Sequence, residues 1–432
     1  MQQSFYLKSY AWEGNPQQLL LYSTKKTSSI LIDTKVFHQL QMDNLNLSYK
    51  KILERLGMVV QGRDQERENI LSFFENFNAN NRCLNIIAVL NLDCNFACTY
   101  CFEEGIKGNL YMSKQTARGM LDFIKGRWSD NNEMLLIDFY GGEPLLSLDL
   151  IQYVSHEARN FAETRGAAYY YTLVTNGSLF TRKTAEKLVS TGLKSVKITL
   201  DGPPEIHNTS RPFRSGAGTF DTIISNIKDT CDLVKIGIGG NFNKDNYKRF
   251  ALLLDYLEAE GITPDRIAHV KFDPIAAQKK NEYNPVEFTQ GCASINETWL
   301  IEAETFLREE ILKRGYKTSK PAPMMCMVEI SNSLVINYDG TIYKCPAFIG
   351  NEKYSVGNIY EGVCNYQQTL KLGNFNNSEC EECVYLPLCF GGCRYMSYVR
   401  DGNINSLDCR KFYFDHALER LLKQDIRYNS RR

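Results

Sequence analysis

The chain has 432 residues, and its 50 Lys plus Arg balance 50 Asp plus Glu, so no net charge or basic stripe marks it for nucleic acid. That length can bury a sizeable core in two or three domains. The longest apolar stretches are too short to cross a bilayer, and no charged n-region followed by an apolar h-region opens the chain, so a cytoplasmic protein with no membrane association is expected. Fourteen cysteines in a reducing compartment read as metal or iron–sulfur ligands, not as a disulfide framework.

Residues 1–80 carry no cysteine. Segments 19–22 and 29–33 flank the polar turn 24–27 and predict a β-hairpin. Thr34 is a cap for a short helix to Gln41, with Val36, Phe37 and Leu40 on its apolar face. A second helix spans 49–56, stops at Gly57 and leads into a short strand, 58–60. A third covers 64–77, with an acidic cap and Ile70, Leu71, Phe74 and Phe77 at helical spacing. Hairpin, helices and short strand together make a small winged-helix-like arrangement.

From Arg82 the pattern changes to alternating strands and helices. Apolar strands are expected at 84–92, 135–140, 169–174, 195–200, 234–240 and 267–272. Helical patterns separate them, such as 113–127, where Ser113 caps Met120, Leu121 and Ile124. Six such units imply a parallel sheet with right-handed crossovers, and periodicity does not choose between an open sheet and a barrel. A helix over 295–314 leads to the second cysteine-rich part, and no internal repeat is found.

Directly after the first of these strands comes Cys94-Asn-Phe-Ala-Cys98-Thr-Tyr-Cys101-Phe102-Glu103. Three thiols at C-x3-C-x2-C in one tight loop, with no fourth cysteine nearby, suit an iron–sulfur cluster with one open iron. A structural zinc site would close a tetrahedron with four ligands. The second strand ends in Gly141-Gly142-Glu143-Pro144, where two glycines permit close backbone approach. The third ends in Thr175-Asn176-Gly177, which alone reads as a turn. The fourth ends in Thr199-Leu-Asp201-Gly202-Pro203, followed by His207 and Arg211. Alone, His207 is a structural hydrogen-bonder, and no residue is assigned as an acid or base.

The second array comprises Cys326, Cys345 after Gly340, the run Cys380, Cys383, Cys389, Cys393, and Cys409. Residues 335–343 read as a hairpin turning at Asp339-Gly340. Cys380 and Cys383 make a good zinc pair, but seven cysteines do not divide into closed fours.

The first loop, with Phe102 behind it and the Gly-Gly-Glu-Pro turn at this distance, resembles the radical S-adenosylmethionine (SAM) superfamily. The second array resembles the SPASM extension of its peptide-modifying members. The resemblance implies an α/β fold: a partial (β/α)6 barrel at 81–315, an N-terminal winged-helix-like leader-recognition domain at 1–80 and a SPASM domain at 316–432. It implies SAM and three 4Fe–4S clusters. Cys94, Cys98 and Cys101 would hold the SAM cluster. Cys326, Cys345 and Cys393 would hold one auxiliary cluster, its fourth iron open to a substrate thiolate or closed by a spare cysteine such as Cys364. Cys380, Cys383, Cys389 and Cys409 would hold the other. SAM would contact Gly141, Gly142, Glu143, Pro144, Asn176, Thr199 and Arg211, with Arg214 and Asn241 as further candidates.

The implied activity is an oxidoreductase-type modification of a ribosomally made precursor peptide. The leader would bind 1–80 and the core would enter the barrel, giving thioether crosslinks from cysteine sulfur to carbon. A flavodoxin- or ferredoxin-like donor would supply electrons. Carbon–carbon crosslinking and sulfatase-type formylglycine maturation share these clusters, and a zinc- or cluster-bearing peptide-binding scaffold is the non-enzymatic alternative.

Overall fold

The six expected β/α strands form as one parallel series. In the computed structural model, which describes residues 2–278 and 288–429, they are β1 (Cys83–Val89), β2 (Met134–Tyr140), β3 (Ala168–Thr175), β4 (Leu193–Thr199), β5 (Lys235–Phe242) and β6 (His269–Pro274). Each pairs in parallel with the next. Alternate residues explain the layering. On β2, Leu135, Ile137 and Phe139 are buried, while Met134, Leu136, Asp138 and Tyr140 are half-buried on the other face. Helices follow the strands as the crossover rule requires. Lys114–Arg127 is capped by the Ser113 side chain, which accepts from Thr116 N–H at 2.9 Å, and it buries Met120, Leu121 and Ile124.

The sheet does not end at β1. β7 (Ser333–Ile336) lies parallel beside β1, and β8 (Thr341–Tyr343), β9 (Ser355–Asn358) and β10 (Gly362–Val363) extend it antiparallel, giving the order β6-β5-β4-β3-β2-β1-β7-β8-β9-β10. The β7–β8 hairpin turns at Asp339-Gly340, where Gly340 has φ +91° and Thr341 N–H donates to Asp339 Oδ1 at 2.9 Å.

The described residues divide into two compact units, each discontinuous in sequence. One contains 81–319 and 331–370; the other contains 1–80, 320–330 and 371–432. Residues 331–370 thus fold with the parallel strands, and 1–80 fold with most of the second cysteine array.

In the second unit a three-stranded antiparallel sheet has Gln18–Ser23 between Leu7–Ala11 and Ser28–Asp33. The hairpin matches the sequence reading, whereas Leu7–Ala11 is an additional strand. Helix Thr34–Gln41 is capped by Asp33, one residue before the expected Thr34. The expected helix at 64–77 is two, Arg63–Leu71 and Phe73–Asn80, broken at Ser72, and Gly62 precedes the first without a side-chain cap. Phe73 and Phe74 on the second helix join Tyr6, Ile70, Phe375, Leu386 and Phe390 in one packed cluster, with Phe73 stacked on Phe390 at 4.7 Å. Among the described residues no helix is long and apolar enough to cross a membrane.

Candidate active site

The Cys94–Cys101 loop leaves β1 and is strapped down by backbone hydrogen bonds to residues 210–214. Ala97 N–H donates to Pro212 O at 2.9 Å, Thr99 N–H to Ser210 O at 3.0 Å, and Arg214 N–H to Asn95 O at 3.0 Å. The rings of Phe96 and Phe213 meet edge to face at 5.2 Å. Cys94, Cys98 and Cys101 form no disulfide. Burial pushes the Cys94 thiol up to about 12 and the Cys101 thiol up to about 11. Ionising two such buried thiols needs a positive centre nearby, as iron would supply.

The two glycines after β2 make a close approach, and the partner is the chain itself. A Cβ on Gly141, at φ +136°, would sit 2.3 Å from Asn91 O, and one on Gly142 would sit 2.1 Å from Asp93 O. Pro144 starts the short 3-10 turn that follows. The Glu143 carboxylate is fully buried and accepts from Leu145 N–H (3.0 Å), the Thr175 hydroxyl (2.7 Å) and Asn176 N–H (2.8 Å). Burial raises its pKa against the pull of these donors. It therefore ties the end of β2 to the end of β3. Asn176 in turn donates to Asn95 Oδ1 at 2.8 Å, and its amide lies 4.0 Å from Cys94 Sγ.

A second network joins the loop to the ends of β4 and β5. The Tyr100 hydroxyl donates to Asp201 and accepts from Arg211 Nη1 (2.8 Å) and Asn241 Nδ2 (3.0 Å). Asn241 N–H donates to the other Asp201 oxygen at 2.7 Å. Arg211 is 9% exposed, feels the Cys98 sulfur, and has a buried Nε–H with no hydrogen-bond partner. Arg214 is committed elsewhere, to Asp93 at 2.7 Å. Thr199 closes β4, half-buried and in register with Gly239. His207 is buried, accepts from Asp201 N–H at 3.1 Å and bonds Thr219 at 3.1 Å; burial drops its pKa to about 3, so it stays neutral.

Sequence reasoning missed three residues here. Tyr100, one position before Cys101, holds the second network together, and a phenol between two cysteines was its only signal. Glu103 is 3% exposed with a partnerless buried Oε1, and burial pushes its pKa up to about 7. Tyr140 ends β2 where the charges of Glu103, Cys101 and Cys345 all bear on its phenol, so Cys345 belongs to this neighbourhood.

The remaining array residues lie in the other unit. Cys380, Cys383 and Cys389 each feel the Cys409 sulfur, so these four gather as one group. Cys326 feels Cys393, and Cys393 N–H donates to the buried Asp408 at 3.0 Å. Cys364 is exposed in the barrel-bearing unit. Among the described residues no three or more His, Cys, Asp or Glu side chains converge on a single-ion site.

A parallel strand series with a three-thiol loop and buried polar groups at its carboxyl ends defines a barrel-type enzyme with ligands at that end. Residues 89–257 match the family model described as the Radical SAM superfamily. The cysteine-type anaerobic sulfatase-maturating enzyme of Clostridium perfringens is 24% identical over 332 residues, 69% of this chain and 85% of that one. The solved structure of native anSMEcpe with bound AdoMet and Kp18Cys peptide superposes with a TM-score of 0.63 at 20% identity, covering 79% of this chain and 98% of that one. Streptococcus suis SuiB bound to precursor peptide SuiA superposes with a TM-score of 0.54 at 15% identity, covering 94% and 98%. Residues 89–257 thus form a radical SAM domain, and the enzymes of that superfamily cleave SAM with a 4Fe–4S cluster.

Proposed function

We propose that the protein is a SPASM-type radical SAM maturase that forms cysteine-sulfur-to-carbon thioether crosslinks in a ribosomally made precursor peptide. What supports this reading most is the second cysteine array. Cys380, Cys383, Cys389 and Cys409 gather as one group, as a complete auxiliary cluster requires. The fold shared with SuiB also extends over 94% of this chain, against 79% for anSMEcpe.

Bound together, cluster and SAM supply a 5′-deoxyadenosyl radical that removes a hydrogen atom from substrate. The chain's own residues hold and orient. Cys94, Cys98 and Cys101 are the ligands of that cluster. The orphaned Nε–H of Arg211 is a charged donor for the SAM carboxylate, and Tyr100 and Asp201 lock its guanidinium in place. Asn176 and Thr199 complete the pocket, and Glu143 positions Asn176 from behind. In the other unit, Ser28–Asp33 pairs on one side only among the described residues, leaving an edge for a leader strand. Cys326, Cys345 and Cys393 are assigned to the second auxiliary cluster, and a flavodoxin- or ferredoxin-like protein to electron supply.

The test is mass spectrometry of a cysteine-containing peptide encoded beside this chain, after incubation with reduced, reconstituted enzyme and SAM. Thioether formation removes two hydrogens per crosslink and leaves the cysteine inert to iodoacetamide. A product that loses two hydrogens but still alkylates indicates carbon–carbon crosslinking. Exchange of the thiol for a carbonyl oxygen indicates formylglycine formation, the alternative that the sulfatase-maturating relative favours.

A further inference from the structure

Tyr6 precedes the first strand of the N-terminal sheet and is 0% exposed, yet its hydroxyl has no hydrogen-bond partner. A buried donor left unmet is a net cost, and native structures nearly always supply an acceptor. The nearby Glu66 carboxylate is spoken for: Ser4 Oγ donates to it at 2.5 Å, Phe5 N–H at 3.0 Å, and Lys25 pairs with it.

Several contacts set Tyr6 against the Cys380–Cys389 loop. Thr24 N–H donates to Tyr6 O at 2.9 Å, and the Thr24 hydroxyl donates to Val384 O, next to Cys383, at 2.6 Å. Tyr6 shares one packed cluster with Phe375, Leu386 and Phe390, against which Cys380 packs. A phenol has one hydrogen to donate, and Cys383 lies near enough for its charge to bear on the Tyr6 hydroxyl.

We propose that the Tyr6 hydroxyl donates a hydrogen bond to a sulfur of the iron–sulfur cluster held by Cys380, Cys383, Cys389 and Cys409. The N-terminal sheet is then part of that cluster's wall, as well as a surface for peptide. The inference rests on the auxiliary-cluster assignment above. Hydrogen bonds to cluster sulfurs are one of the levers that set reduction potential. A donated proton stabilises the more negative, reduced cluster, so Tyr6 raises its potential.

The test is an EPR-monitored redox titration of the full chain carrying Cys94→Ala, Cys98→Ala and Cys101→Ala, so that only auxiliary clusters report. Adding Tyr6→Phe lowers one midpoint potential, leaves the other in place and leaves iron content unchanged. Tyr22→Phe removes another buried, partnerless hydroxyl from the same sheet and shifts neither. Unchanged potentials in Tyr6→Phe overturn the proposal and point to a water as the partner. Equal shifts from both variants also overturn it. A parent variant that binds no iron overturns the cluster assignment itself.

Discussion

Replacing Glu143 by Gln separates two roles for the carboxylate. If it gripped the SAM ammonium, Glu143→Gln would weaken SAM binding and leave folding stability nearly intact. Its oxygens already accept from protein donors, which supports a positioning role. Oε1 accepts from Leu145 and Thr175, and Oε2 from Asn176. The amide of Gln can keep the first pair only by turning its NH2 toward Asn176 N–H, setting two donors face to face. One charge-assisted bond worth about 1.5–3 kcal/mol is lost and an N–H is orphaned, while removing a buried charge returns part of that cost. The expected net loss is about 2 kcal/mol. Anaerobic urea denaturation reads the stability, and equilibrium dialysis of labelled SAM reads the affinity, which stays within about threefold, or less than about 1 kcal/mol. Unchanged stability with affinity down more than about tenfold would refute the positioning role.

Two further outcomes follow from buried groups. His207 is neutral in the fold and protonates only near pH 3, far below its unfolded value. Below about pH 6.5 the unfolded chain gains a proton that the native state refuses, so stability falls with falling pH by up to about 1.4 kcal/mol per unit. His207→Gln removes that slope between pH 7 and pH 5 in urea denaturation. Glu329 and Arg394 form an ion pair with side chains only 4% and 3% exposed. Glu329→Gln leaves the guanidinium buried without its counter-charge and costs about 3–5 kcal/mol, whereas the pair Glu329→Leu with Arg394→Met recovers most of it; thermal denaturation of both variants checks this.

The parts of the fold legible in the sequence are those written locally. The six parallel strands announce themselves as short apolar runs because their helix-facing residues are continuous with the core, and Ser113 and Asp339-Gly340 carry their own cap and turn chemistry. What was not legible depends on distant partners. Nothing in 333–336 says that it will pair in parallel with β1, about 250 residues earlier, because parallel register is set by tertiary packing. The break at Ser72 leaves apolar spacing intact on both sides. The two cysteine arrays were legible from their spacing, and Cys380, Cys383, Cys389 and Cys409 fall in one unit of the structure. The supporting shell was not: Tyr100, Glu103, Tyr140 and Tyr6 matter for where their polar atoms end up, and a single aromatic or acidic residue beside a cysteine carries no such signal.

In the proposed enzyme the chain holds three cubane clusters, one with an iron reserved for SAM. Iron and acid-labile sulfide, determined on anaerobically reconstituted protein, test it most directly. About 12 irons per chain are expected, falling to about 8 when Cys94, Cys98 and Cys101 are all replaced by Ala. Stoichiometric zinc in place of iron, or about 4 irons in the unaltered chain, would contradict it.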